Sequence, residues 1–72
     1  ISSSGQIASL SLAMTAKKSM SAHLGNIGIV YEEQGDYPKA LDYYFKALKM
    51  AEELGDKNHI AAFLGNIGAV YL

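Results

Sequence analysis

Few side chains in this sequence are equipped for chemistry, and their spacing decides what each could do. His23 and His59 are its two imidazoles, far apart along the chain. Neither has a second ligand four residues on, the step that places two metal ligands on one helical face. The acids Glu32-Glu33 and Glu52-Glu53 are adjacent, and adjacent residues on a helix do not face each other. General acid–base work would need a pocket that shifts one carboxyl, and nothing implies one. Gly25-Asn26-Ile27-Gly28 carries the glycines of a phosphate loop, but it lies inside a helical pattern with no strand before it. The reading is therefore no catalytic residue, no metal and no cofactor. What remains is Asn26 and Asn66, whose amides can both donate and accept hydrogen bonds.

Those asparagines belong to a repeat. The segment Ala22-His23-Leu24-Gly25-Asn26-Ile27-Gly28-Ile29-Val30-Tyr31 returns forty residues on as Ala62-Phe63-Leu64-Gly65-Asn66-Ile67-Gly68-Ala69-Val70-Tyr71, with eight of ten positions identical. A stacked array repeats itself this closely because each unit meets the same packing problem against its neighbour. Such proteins work by offering a surface.

Composition narrows the class further. Half of the 72 residues are hydrophobic, which argues against disorder. A single proline and a run of Ala, Leu, Lys, Glu and Met favour an all-α chain. Six basic residues, all lysine, against seven acids leave a net charge of −1, a poor match for nucleic acid. There is no cysteine, and no apolar run near the roughly 20 residues that cross a bilayer, so neither disulfides nor a membrane partner are expected.

The elements follow from periodicity and punctuation. Residues 1–5 read as a flexible leader. Residues 6–18 read as a helix, from Ile7, Leu10 and Met14, although Ser9 to Leu12 also alternates like a strand. Leu10-x-x-Ala13 matches Leu48-x-x-Ala51, so this segment is expected to be the second helix of an earlier repeat, closed by a short turn around Lys17-Lys18. The next helix runs from about Ser19 to Gln34 and stops at Gly35. Asp36 caps a helix over 37–54, with Tyr37-Pro38 in its first turn. Its buried stripe is Ala40, Leu41, Tyr44, Ala47, Leu48 and Ala51, and Asp42 with Lys46 forms an outer ion pair. Gly55 ends it, and Asp56 or Asn58 caps a final helix over 58–72. Tyr31, Tyr44 and Tyr71 belong to the core by spacing, and Tyr43 faces away.

The pattern Leu24-x-x-Ile27-Gly28-x-x-Tyr31-x-x-x-Gly35-Asp36-Tyr37-x-x-Ala40-x-x-x-Tyr44-x-x-Ala47 resembles the tetratricopeptide repeat. Leu64, Ile67, Gly68 and Tyr71 begin the same pattern again. Gly28, Ala40 and Ala47 are the small positions that let helices approach, while Ile27, Tyr31 and Tyr44 fill the space beside them. Leu24 and Leu64 stand where the family often has tryptophan. The period of forty is similar to the long-repeat branch found in kinesin light chains, polarity adaptors and bacterial signalling proteins. HEAT and armadillo arrays share a long period but leave the Gly-Asp-Tyr turn unexplained.

The resemblance implies antiparallel helix-turn-helix units stacked as a short right-handed solenoid. Residues 19–57 would be one complete repeat and 58–72 the first helix of a truncated one. It also implies a concave groove lined by first helices, presenting Ala22, Gly25, Asn26, Ile29 and Glu33, and then Ala62, Gly65, Asn66 and Ala69. The expected function is a cytoplasmic, non-catalytic scaffold binding a protein or peptide in that groove. The alternative is self-assembly, with exposed repeat ends or a swapped helix joining copies of the chain. Asn26 and Asn66 could serve a bound peptide backbone or only pack against neighbouring helices.

Overall fold

The computed structural model describes residues 2–72, with side chains from Leu12 onward. Three helices follow one another: α1 (Ser2–Glu33), α2 (Tyr37–Leu54) and α3 (Lys57–Tyr71). No strand occurs among the described residues, and the chain is all-α.

The two turns are built alike. Gly35 and Gly55 take φ of 80° and 67°, the left-handed region that glycine enters without a Cβ penalty. Behind each, the next amide reaches back across the helix end: Asp36 N–H to the Tyr31 carbonyl, and Asp56 N–H to the Ala51 carbonyl, both at 2.9 Å. Each aspartate then caps the helix it precedes. Asp36 accepts from the Lys39 amide at 3.4 Å, and Asp56 from the His59 amide at 3.3 Å. Chain direction therefore reverses twice within short spans.

Side-chain contacts fix the pairing. Ser21 meets Ala47 while Glu32 meets Tyr44, so α1 and α2 run antiparallel. Phe63 packs with Ala47 and Ala51, and Ile67 with Ala40 and Tyr44, so α3 is antiparallel to α2 as well. The core is this seam. Ala40, Tyr44, Ala47 and Ala51 of α2 are completely buried, with Phe63 and Ile67 from α3. Half-buried Leu24, Tyr31, Leu41, Leu48, Ile60 and Val70 extend it. Burying one such large side chain is worth about 1.5–3 kcal/mol.

Three expectations are corrected here. Helix α1 continues straight through Lys17-Lys18, where a turn was expected, and its bounds take in residues 2–5, expected as a leader. Nothing between Gln6 and Leu24 can stop a helix: there is no glycine or proline, and lysine is a good helix former. The expected face of Ile7 and Leu10 lies outside the described side chains. Second, Lys46 does not pair with Asp42. Its ammonium sits over the Tyr43 ring, 5.2 Å from the centroid. Third, Tyr43 does not face away. It stacks on Tyr31 with centroids 5.5 Å apart, and Lys39 covers the Tyr31 ring.

Candidate interaction surface

Because α1 and α3 are both antiparallel to α2, they run in the same direction. They touch where Phe63 of α3 lies on Gly25 of α1. A Cβ at Gly25 would overlap the Phe63 ring, so this glycine is a contact point between the two helices. It is buried, and does not line a groove as expected. The other groove positions remain reachable. Asn26, Glu33, Ala62, Gly65 and Ala69 are exposed, Ala22 and Asn66 are half-buried, and Ile29 is 39% exposed.

The two amides are uncommitted. Neither the Asn26 nor the Asn66 side chain bonds another described residue. Among the described residues no buried side-chain nitrogen or oxygen lacks a partner, so neither amide is an orphan sealed in the interior. Apart from the exposed carboxylate Glu33, the remaining expected positions are small or apolar: Ala22, Ile29, Ala62, Gly65 and Ala69. Such a surface can take an extended or helical segment and hydrogen-bond its polar groups at two points.

Three polar contacts hold the frame, and the sequence reading named none of them. The buried Ser21 hydroxyl donates to the Ala47 carbonyl at 3.0 Å, joining α1 to α2. Its spacing to Leu24 and Gly28 puts it on the seam and could have flagged it. The Tyr44 hydroxyl donates to Glu32 at 2.5 Å. Burial first, then the hydrogen bond and charge of Glu32 and the charge of Glu33, push the Tyr44 pKa up, so its proton stays in place. At the second turn, His59 Nδ1 and Asp56 Oδ2 lie 2.5 Å apart, and Lys18 Nζ approaches the same oxygen at 3.8 Å. The His59 hydrogen bond is the largest of the effects that hold Asp56 below the usual carboxylate range. An open cleft of about 480 Å³ lies beside this cluster, between Met14 and Lys18 of α1 and the Leu54–Asn58 turn.

Of the expected repeat positions, Gly28, Ala40, Tyr44, Ala47 and Ile67 are buried, and Leu24, Ile27, Tyr31 and Asp36 are half-buried. Gly35 and Tyr37 are exposed at the turn. Leu64, Gly68 and Tyr71 are exposed too, so Tyr71 is not a core residue here. His23 is exposed and His59 is spent on Asp56. No three of His, Asp and Glu converge as metal ligands among the described residues.

The model of the tetratricopeptide repeat family matches residues 19–72. The chain belongs to the tetratricopeptide repeat family. Comparison with curated proteins and with solved structures gives no match. Tetratricopeptide domains generally mediate protein–protein interaction, which makes protein the expected class of partner for this one. Among the described residues no helix is long and apolar enough to cross a membrane.

Proposed function

We propose that this tetratricopeptide chain is a non-catalytic scaffold that holds a peptide or partner segment on the surface shared by α1 and α3. The observation that carries the reading is the pair Asn26 and Asn66. They recur at the repeat distance on parallel helices, and both leave their amides unbonded to the rest of the described protein. Asn26 is exposed and Asn66 half-buried, so both amides can reach a bound chain. Ala22, Ile29 and Ala69 supply the apolar floor between them, and Glu33 places one negative charge at the far end of α1.

Peptides selected against the unaltered chain from a displayed library provide the probe. Replacing both Asn26 and Asn66 by alanine should weaken binding about tenfold, the equivalent of one or two net hydrogen bonds. Far-UV circular dichroism should be unchanged. Undiminished binding would remove the amides from the site, and a collapse of helicity would make them structural.

A further inference from the structure

The surface shared by α1 and α3 carries fixed charge only at its two ends. On α1, Lys18, Ala22, Asn26, Ile29 and Glu33 follow one another at steps of four, four, three and four, which places them on a single strip of the helix. Between Lys18 and Glu32 that helix has no lysine, arginine or carboxylate, and α3 has none between Lys57 and Tyr71. The floor around Asn26 and Asn66 is therefore neutral.

One end is positive. Phe63 rests on Gly25, and seven residues earlier in each segment Asp56 pairs with Lys18 at 3.8 Å, so the start of α3 lies beside Lys18. Lys18 and Lys57 both line the open cleft of about 480 Å³ at this end. The Lys18 side chain is 61% exposed, and Lys57 is exposed with no ion pair among the described residues. The one carboxylate in the cleft lining, Asp56, is 10% exposed and already engaged by the amide and the ring of His59. An incoming chain meets the two ammonium groups first.

The opposite end is negative. Glu32 is tied to the Tyr44 hydroxyl, whereas Glu33 is exposed and forms no ion pair among the described residues. The helix rises about 22 Å from Lys18 to Glu33, the reach of about seven residues of extended chain. Exposed charges contribute little affinity each, but over a neutral floor nothing competes with them in setting direction.

We propose that this surface takes an extended segment of complementary polarity, with an acidic residue at the end marked by Lys18 and Lys57 and a basic residue about seven positions away at Glu33. The inference rests on the reading that the α1 and α3 surface binds a peptide, and adds to it the charge pattern and the orientation of that peptide. A uniformly charged segment would be repelled at one end, and an uncharged one would leave both ends unpaired.

Decamers selected from a displayed library against the unaltered chain should carry an acid and a base about seven positions apart, in a constant order. Exchanging the two within a selected peptide should weaken binding about tenfold, since attraction turns to repulsion at both ends. The Lys18→Glu, Glu33→Lys double variant should then prefer the exchanged peptide, a reversal that structural damage would not produce. Lys57→Glu replaces Lys18→Glu if circular dichroism shows that losing the Asp56 contact unsettles the fold. Selected peptides without the charge order, or a double variant that keeps the original preference, overturn this inference and leave peptide binding standing. A library that yields no binder, or binders indifferent to replacing Asn26 and Asn66 by alanine, overturns the peptide-binding reading and this inference with it.

Discussion

Residues 22–31 and 62–71 are nearly the same sequence in two different surroundings. In the first, Gly28 lies under Tyr44, Leu24 is half-buried, and Tyr31 stacks on Tyr43. In the second, Gly68 faces open space, Leu64 is exposed, and Tyr71 is 70% exposed. Only the face turned toward α2 is better packed in the second copy, where Ile67 is buried and Ile27 is half-buried. The difference comes from neighbours. The first copy has α2 folded against this face, and among the described residues no helix lies against that face of the second. A repeat sequence encodes a surface able to be buried, while its place in the stack decides whether it is.

The sharpest contrast is at one of the two substituted positions, His23 in the first copy and Phe63 in the second. Phe63 is 4% exposed and joins all three helices, resting on Gly25 and packing with Ala47 and Ala51. Its counterpart His23 is exposed. Truncating Phe63 to alanine should cost about 3–5 kcal/mol, a large share of the stability of so small a domain. His23→Ala should stay within about 0.5 kcal/mol of the unaltered chain. Urea denaturation followed by circular dichroism measures both. Similar losses at the two sites would mean that the surroundings do not govern these positions.

The glycines give the next largest contrast. At Gly28 an added methyl would lie 2.7 Å from the Tyr44 ring and 3.3 Å from the Ala40 carbonyl, and a fully buried ring cannot swing away. Gly28→Ala should therefore destabilise by about 1–3 kcal/mol, net of the gain in helix propensity. Gly68→Ala meets nothing and should stabilise the isolated chain by up to about 1 kcal/mol. The two changes are the same chemistry at equivalent positions, so their opposite signs would measure what the close approach of Tyr44 imposes at Gly28.

Much of this was legible in the sequence, for local reasons. Gly35-Asp36 and Gly55-Asp56 announce both turns, since left-handed glycine and a capping carboxylate act within a few residues of themselves. The buried stripe of α2 follows from spacing alone. What was not legible depends on contacts distant in the chain. The turn expected at Lys17-Lys18 rested on a weak match between Leu10-x-x-Ala13 and Leu48-x-x-Ala51, without a terminator to enforce it, and α1 passes through. Gly25 is a groove position only by its place in the repeat pattern that the resemblance implies. Its burial follows from Phe63, one of the two positions where the copies differ. Tyr43 was placed outside because no periodic argument includes a partner on another helix, yet Tyr31 is there to stack on it.

The two turns offer the finest comparison, and the smallest effect. Both aspartates cap a helix, but Asp56 also engages His59 and Lys18, whereas Asp36 forms an ion pair with Lys39 alone among the described residues. The His59 hydrogen bond, ahead of the His59 amide and the charges of His59 and Lys18, holds the Asp56 carboxyl below its ordinary range, against the opposing effect of burial. A carboxyl depressed in the folded state stabilises the fold above its unfolded pKa, about 3.9, and that contribution fades as pH falls through the lower folded value. Acidification below about pH 4 should thus lower the thermal midpoint in part through Asp56. Asp56→Asn keeps a capping oxygen but cannot titrate. The variant should melt below the unaltered chain at neutral pH, and the gap should close as both are taken into acid. A gap that stays constant from pH 6 to pH 2 would show that the carboxylate at this turn contributes no more than the cap it shares with Asp36.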